Sequence, residues 1–243
     1  MLVAALGVLL YRDYVREADE PEPLAPAAAA PTEDDARREG FERAYAHGQW
    51  GRNKQGKGSS GAGSTLESTR VYRVFLQDFL AAHEIRSVVD AGCGDWEFSR
   101  AMDWTGIDYL GLDIVAPVIE ANRRRYGAAN VRFAVADIVR DDLPPADLLL
   151  VKDVLQHLSH ADIARVLAKL PRYRHVLIVN DVRQDSLSAA YQDIPTGGYR
   201  PLDLTLPPYS LRGAKVLAYR LGANTKLVLH VQGDGGRAGG NGR

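Results

Sequence analysis

Short apolar segments alternate with helical patterns between residues 85 and 180, and this alternation constrains the fold more than any other feature of the chain. Residues 96–104 and 163–170 carry apolar side chains at helical spacing. Such an alternation predicts a parallel sheet with helices on both faces and right-handed crossovers. The segments predicted to form its strands are residues 85–90, 109–113, 131–136, 146–151 and 175–180.

The last part of the pattern is different, because two apolar segments follow each other without a helix. Residues 215–221 and 226–231 flank the sequence Gly222-Ala-Asn-Thr225. Two strand patterns joined by a short turn containing Gly and Asn predict a β-hairpin. The fold class is therefore expected to be α/β, with a seven-stranded, mostly parallel sheet that ends in an antiparallel hairpin.

Composition excludes some classes of function. The chain has 243 residues, of which 46% are apolar, as expected for one domain with its own core. The formal net charge of −1 predicts no strong attraction to nucleic acid, and we expect no nucleic-acid partner. Cys93 is the only cysteine, so an internal disulfide and a cysteine-rich zinc site are both excluded. No metal site is expected.

Residues 1–16 form an apolar N-terminal segment, in which residues 2–10 are uninterrupted by charge. A helix that spans a bilayer needs about 17–25 apolar residues, so this run is too short to span by itself. It is interpreted either as the remnant of a membrane anchor or as a short apolar segment that packs on the domain. The protein is expected to be cytoplasmic in the second case, and membrane-associated through residues 1–11 in the first.

Three other segments differ from the middle of the chain in composition. Residues 17–39 contain eight acidic and two basic side chains and four prolines, which predicts a linker. Residues 232–243 are rich in glycine and are predicted to be a disordered tail. Residues 40–70 include a stretch rich in Gly and Ser, interpreted either as a flexible linker or as a lid over a ligand. The remaining residues, 71–231, are predicted to form the folded domain.

The turn after the first predicted strand contains Gly92 and Gly94. Ligands of such sheets bind at the carboxyl ends of the strands, and glycine lets the backbone approach them closely. A dinucleotide site requires a third glycine, but Glu97 stands at that position, and its charge would repel a pyrophosphate. The turn therefore favours a ligand without phosphates, such as a nucleoside that carries an amino acid and a sulfonium, over a nicotinamide dinucleotide.

Three aspartates, Asp90, Asp113 and Asp137, follow successive predicted strands. A carboxylate after the second strand is suited to accept hydrogen bonds from ribose hydroxyls. One after the third strand is within reach of an adenine amino group, and one at the first turn opposes an ammonium group. The alternative is that these residues only cap the helices that follow them.

The motif Val88-Val-Asp-Ala-Gly-Cys-Gly94 resembles the glycine-rich first motif of class I S-adenosylmethionine-dependent methyltransferases. Gly111-Leu-Asp113 and Ala136-Asp137 are similar to the ribose-side and adenine-side positions of that family. The resemblance covers roughly residues 66–231 and implies a Rossmann-like fold, S-adenosylmethionine (SAM) as cofactor and methyl transfer as the reaction. The residues expected to bind SAM are Asp90, Gly92, Cys93, Gly94, Asp113, Ile114, Asp137 and Ile138.

Candidate catalytic residues follow the fourth predicted strand. A hydroxyl acceptor must lose its proton, and Asp153 or His157 is suited to act as the general base. The alternatives are that Asp153 caps the next helix and that His157 packs against its neighbours. Lys152 is expected either to extend its charged end to solvent or to pair with a carboxylate, and not to act on the substrate.

Three residues are candidates for binding the acceptor, namely Arg70, Tyr199 and Arg200, although each also fits an ordinary surface position. The expected function is transfer of a methyl group to a hydroxyl of a small molecule or sugar. The alternatives are an N-methyltransferase that acts on a protein or amine, and a scaffold that has the fold without the activity.

Overall fold

A computed structural model describes residues 32–52, 59–183 and 192–234. The predicted apolar segment 1–16, the linker as far as residue 31 and the tail beyond residue 234 lie outside the described residues. Within the described residues, no helix is both long enough and apolar enough to cross a membrane.

Seven strands form one sheet in the order β3-β2-β1-β4-β5-β7-β6. Neighbouring strands from β1 to β5 run parallel, and β7 lies antiparallel between β5 and β6. The predicted parallel sheet with a terminal hairpin is therefore confirmed. The strands are β1 (Ser87–Ala91), β2 (Asp108–Asp113), β3 (Val131–Val135), β4 (Leu148–Lys152), β5 (His175–Val182), β6 (Ala214–Leu221) and β7 (Asn224–Gln232).

Within residues 32–52, 59–183 and 192–234, four α-helices accompany the sheet: α1 (Glu33–His47), α2 (Arg70–Ala82), α3 (Ala116–Tyr126) and α4 (His160–Leu167). Pro117 stands in the first turn of α3, where its missing N–H costs no hydrogen bond. Helix α4 begins earlier than the predicted residue 163, because the Ser159 side chain caps it by accepting a hydrogen bond from the Asp162 N–H.

The sheet separates two apolar clusters. Tyr72 and Leu76 of α2 are fully buried in one cluster, and Ile163 and Val166 of α4 are fully buried in the other. Every residue of β4 is buried, which agrees with its nearly continuous apolar sequence. Burial on both faces fixes β1 and β4 in the middle of the sheet, where the order of the strands reverses.

Two elements differ from the sequence predictions. The segment 96–104, predicted as a helix, contains only a short 3₁₀ turn at Ser99–Ala101. Trp96 has a left-handed backbone with a φ of 57°, which an α-helix does not accommodate. Its ring instead packs on Tyr109, Tyr126 and Phe133.

The second difference is helix α1, which begins at Glu33, inside the predicted linker. Its charged composition indicated a solvated segment, but Arg37 is buried against carboxylates of the domain. The boundary predicted at residue 39 is therefore wrong for residues 33–39.

Candidate functional site

A cavity lies at the carboxyl edge of the parallel strands, at the point where the strand order reverses between β1 and β4. All eight residues predicted to bind the cofactor line it, and so do Asp153, His157 and Tyr199. The lining also includes residues that were not singled out as binding residues, from α1, from the segment before α2 and from β7. These additional residues include Arg37, Phe41, Tyr45, Trp50, Ser60, Gly63 and Lys226.

The turn after β1 is closely packed. Gly92 and Gly94 have positive φ angles of 89° and 55°, which glycine adopts without the strain that other residues incur. A Cβ at Gly92 would lie 2.3 Å from Val154 Cγ2, and one at Gly94 would lie 2.2 Å from Ser60 Oγ. Neither position has room for a side chain, so glycine is required by both conformation and space.

Asp113 at the end of β2 holds this turn in place. One of its carboxylate oxygens accepts a hydrogen bond from the Gly94 N–H at 3.0 Å, and the other accepts one from the Val115 N–H at 3.0 Å. The second contact is the local backbone contact that the capping alternative expects. Burial raises the pKa of Asp113 to about 6, although these hydrogen bonds oppose the shift. Each oxygen keeps a lone pair that is available to a ligand hydroxyl.

Asp90 lies deeper, in β1, and is almost completely buried. Its carboxylate accepts a hydrogen bond from the Tyr109 hydroxyl at 2.6 Å. Burial raises its pKa to about 6, and the Tyr109 hydrogen bond and the charge of Lys152 only partly offset this effect. A buried carboxylate of this kind is stabilised by a ligand cation.

Asp137 follows β3 and is held from two sides. The Arg37 Nε donates to its carboxylate at 2.8 Å, and the Val139 N–H donates to the other oxygen at 2.9 Å. Arg37 also pairs with Asp162 at 3.1 Å and with Asp34, and it is only 3% exposed. Helix α1 is thus tied to the domain directly beside the cavity.

Sequence reasoning missed α1, although one signal for it was present. Acidic residues fill its first turn at positions 33–35, as expected where a helix begins. Arg37, Phe41 and Tyr45 recur at intervals of four residues and all line the cavity. This face of α1 therefore forms one wall of the site.

The segment before α2 is attached to the same wall. The Tyr45 hydroxyl lies 2.8 Å from Ser60 Oγ. Ser60 and Asp95 exchange two hydrogen bonds, from the Asp95 N–H to Ser60 Oγ and from the Ser60 N–H to the Asp95 carboxylate. Residues 60–64, part of the predicted lid or linker, thus lie against the cavity.

A group of charged side chains lies beyond the end of β4. Asp153 has a left-handed backbone with a φ of 58° and pairs with both Lys152 and Lys226, the latter at 2.6 Å. Lys226 also pairs with Asp181 at 2.9 Å. Burial alone would raise the pKa of Asp153, but the two lysine charges outweigh it and lower this pKa. Asp153 is therefore a weak base.

His157 lies in the 3₁₀ turn Leu155–His157, between the rings of Trp50 and Tyr199. Its Nδ1 is 2.6 Å from the Gly198 carbonyl oxygen. Because a carbonyl oxygen only accepts hydrogen bonds, Nδ1 carries the proton and Nε2 keeps a lone pair. Burial lowers the pKa of His157, which keeps the ring neutral near pH 7.

The three predicted acceptor-binding residues lie in different places relative to the cavity. Tyr199 lines the cavity, and its hydroxyl donates to Asp181 at 3.1 Å. Arg70 is exposed at the first residue of α2 and does not line the cavity. Arg200 is buried outside the lining, with its guanidinium 3.3 Å from the Tyr209 hydroxyl. Arg70 and Arg200 thus stand outside the lining of this cavity, and Tyr199 is the one of the three that it includes.

Comparison with known proteins agrees with this geometry. Residues 88–175 match the family model described as a methyltransferase domain. No curated protein matches the chain. Among solved structures, the magnesium protoporphyrin IX methyltransferase of Synechocystis PCC 6803 with bound SAM is 15% identical, with a TM-score of 0.56; the match covers 85% of this chain and 100% of that one.

The N-methyltransferase NodS of Bradyrhizobium japonicum WM9, in complex with S-adenosylhomocysteine (SAH), is 14% identical with a TM-score of 0.56. The match covers 82% of this chain and 99% of that one. The N-terminal domain of EvdMO1, in the presence of SAH and D-fucose, is 16% identical with a TM-score of 0.51, and the match covers 81% and 97%. At such identities the likeness establishes the fold.

Residues 88–175 form a methyltransferase domain, and the sheet that contains them is that of the class I SAM-dependent methyltransferases. The chain therefore carries a methyltransferase domain with the class I fold.

Proposed function

We propose that the enzyme methylates a hydroxyl group of a small molecule, with His157 as the general base. Two parts of the cavity have separate tasks. The cofactor end, made of Gly92, Gly94, Asp113 and Asp137, holds the nucleoside of SAM. The acceptor end, made of Asp153, His157, Tyr199 and Lys226, receives the molecule to be methylated.

The cofactor end fits a nucleoside without phosphates. The glycine turn lines the cavity, and the Asp113 carboxylate is suited to accept hydrogen bonds from two ribose hydroxyls. Ile114, Cys93 and Ile138 contribute apolar contacts beside it.

The charge of the lining is also favourable. Five aspartates but only three basic residues line the cavity, which suits a cofactor that carries a positive sulfonium. These residues are Asp90, Asp113, Asp137, Asp153, Asp181, Arg37, Lys152 and Lys226.

SAM supplies an activated methyl group, so the main tasks of the protein are alignment of the acceptor and removal of its proton. The state of His157 carries the proposal. A neutral imidazole with Nδ1 bonded to the Gly198 carbonyl has its Nε2 lone pair ready to take a proton. Asp153, the other predicted base, is neutralised by two lysines and is less suited to this task.

Aromatic side chains near His157 favour a small acceptor with a flat or ring-shaped face. Trp50 and Tyr199 flank the imidazole, with ring centroids 5.1 Å and 5.8 Å from it. The structural neighbours include a magnesium protoporphyrin IX methyltransferase and a domain crystallised with D-fucose, and these support a small-molecule acceptor. Sugars and phenols are therefore the first acceptors to test.

The test compares hydroxyl and amine acceptors with wild-type enzyme and with His157→Gln. Formation of SAH is measured for each acceptor, and binding of SAH is measured separately. For hydroxyl acceptors we expect kcat to fall by about 100-fold or more in the variant, while its affinity for SAH is unchanged. An enzyme that methylates only amines, at the same rate with and without His157, contradicts the proposal and supports the N-methyltransferase alternative.

A further inference from the structure

Lys152, the last residue of β4, is a buried cation to which the proposed reaction gives no task. Its side chain is 4% exposed, and it lines the cavity. The Nζ donates to the Gly63 carbonyl oxygen at 2.9 Å, pairs with Asp153 and lies 5.2 Å from the centroid of the Phe98 ring. Burying an ammonium group costs free energy unless the group is paired with an opposite charge and its N–H groups donate hydrogen bonds.

The hydrogen bonds of the three basic lining residues differ. An ammonium group donates three hydrogen bonds, and among the described residues Lys152 has two partners, one of them an uncharged carbonyl. Lys226 pairs with two carboxylates, Asp153 and Asp181. Arg37 pairs with three. Lys152 and Lys226 therefore have equal numbers of partners, but Lys152 is the basic lining residue whose charge is least compensated by carboxylates.

The position of Lys152 in the sheet indicates which anionic group of a ligand it would bind. In the pairing of β1 with β4, Asp90 lies opposite Leu150, so Lys152 is two residues further towards the carboxyl edge. There it is close enough to Asp90 for their opposite charges to interact. Asp137, beside the adenine position, follows β3, two strands away from β1. One end of the cavity therefore offers a carboxylate on β1 and an ammonium group on the neighbouring strand β4.

An α-amino acid presents the complementary pair of charges. We propose that Lys152 binds the α-carboxylate of the methionyl part of SAM, while Asp90 receives its ammonium group. Asp153 keeps Lys226 as its partner when the carboxylate binds. The Gly63 carbonyl continues to orient the Lys152 ammonium, and no covalent step is involved. This inference rests on the proposed use of the cavity as the SAM site.

The test uses two ligands that differ by this amino acid. SAH carries the methionyl carboxylate and ammonium, whereas 5′-methylthioadenosine keeps the adenosine and the thioether but lacks both charges. Calorimetry measures the affinity of each for wild-type protein, Lys152→Met and Lys226→Met. Lys226→Met is the matched control, since it removes a second buried lysine that also pairs with Asp153.

In Lys152→Met we expect the affinity for SAH to fall by about 10- to 100-fold, with the affinity for methylthioadenosine unchanged. In Lys226→Met Asp153 keeps only Lys152 as a partner, so we expect the ratio of the two affinities to fall, but by less than in Lys152→Met. Binding of methylthioadenosine also reports that each variant has folded. Equal losses for both ligands in Lys152→Met, or no loss for either, overturn the assignment.

A measurement on unmodified protein covers the case in which the variant does not fold. The carboxamide of SAH, in which the carboxylate is replaced by a neutral amide, is expected to bind wild-type protein about 10- to 100-fold more weakly than SAH. Equal affinities overturn the assignment of Lys152 and leave the methyltransferase function intact. Wild-type protein that binds neither SAH nor methylthioadenosine overturns the proposed SAM site itself, and this assignment with it.

Discussion

The hydrogen bonds of Asp113, at the cofactor end of the cavity, join residues nearer in sequence than the polar contacts of the acceptor end do. Asp113 bonds to Val115, two residues away, and to Gly94, 19 residues away. At the acceptor end, His157 and Gly198 are 41 residues apart, and Lys226 and Asp153 are 73 apart. The nucleoside part of the site thus follows from local turn chemistry, and the acceptor part follows from tertiary packing.

This difference explains how one fold serves many acceptors. A glycine turn and a carboxylate at the end of a strand need only the parallel sheet to bring them together. The acceptor end also depends on β7 and on the segment between β5 and β6, where side chains change without disturbing the turn. Variants at the cofactor end should therefore affect SAM binding, and variants at the acceptor end should affect turnover.

The largest expected effect tests the pairing of Arg37 with Asp137 and Asp162, which are 100 and 125 residues away. Arg37→Ala leaves the buried Asp137 carboxylate without its cation, whereas Asp162 keeps Arg165, and we expect the free energy of unfolding to fall by about 3–5 kcal/mol. The measurement is chemical denaturation. Arg38→Ala is the matched control, since Arg38 pairs with Asp35 on the exposed side of α1 and should matter little. Equal effects of the two variants contradict a buried clamp at Arg37.

The next effect concerns the glycine turn. Gly92→Ala combines a strained left-handed backbone with a Cβ 2.3 Å from Val154, so the turn must move, and we expect SAH affinity to fall by about 100-fold. Gly222→Ala is the control: its φ is 60°, but its Cβ meets nothing within 4 Å. Calorimetry should show unchanged SAH binding for Gly222→Ala. Unchanged binding in Gly92→Ala means that the turn is not part of the SAM site.

A smaller effect is expected from pH. Burial raises the pKa of Asp90 to about 6 in the free protein, and a bound ammonium group stabilises its charged form. Binding then releases a proton below this pKa, so the affinity for SAH rises with pH and becomes constant above it. We expect about a tenfold rise from about pH 5 to about pH 7.

Two comparisons isolate Asp90 in this pH profile. Methylthioadenosine has no ammonium group, and its affinity should rise less over the same range. Asp90→Asn has no carboxyl group to titrate, and its profile for SAH should be flatter than that of the wild type. A profile for SAH that falls with rising pH contradicts the assignment of the ammonium group to Asp90.

The smallest effect belongs to the acceptor end. Tyr199→Phe removes a hydroxyl that donates to Asp181 and accepts from Asn224, at a partly exposed position. We expect the KM for the acceptor to rise about fivefold with no change in SAH affinity. Tyr209→Phe removes a hydroxyl outside the cavity lining and serves as the control. A change in SAH affinity without a change in acceptor KM would assign Tyr199 to the cofactor instead.

The same division governs what the sequence predicts. The sheet and the place of the ligand site followed from it, because apolar periodicity marks buried strands and the carboxyl ends of parallel strands meet at one edge. Asp90, Asp113 and Asp137 could be chosen for that reason alone. These three residues line one cavity because their strands end at the same edge of the sheet, and the sequence alone predicts that arrangement.

The failures all involve long-range contacts. Residues 33–39 have the composition of a linker, and only carboxylates 100 and 125 residues away bury Arg37 and order the helix. Lys226 joins the acceptor end because β7 inserts beside β5, which no local pattern indicates. Arg200 was a candidate for binding the acceptor, but its guanidinium lies 3.3 Å from the Tyr209 hydroxyl, outside the cavity lining.

Calorimetric titration of SAH into wild-type protein, Asp113→Asn and Asp108→Asn tests the central claim most directly. The two aspartates stand at opposite ends of β2: Asp113 lines the cavity, and Asp108 is exposed and paired with Arg132 at 2.8 Å. We predict binding by the wild type, unchanged binding by Asp108→Asn and a loss of about 10- to 100-fold in Asp113→Asn. Absence of binding heat with the wild type, or equal affinities in the two variants, contradicts a SAM site at the carboxyl edge of this sheet.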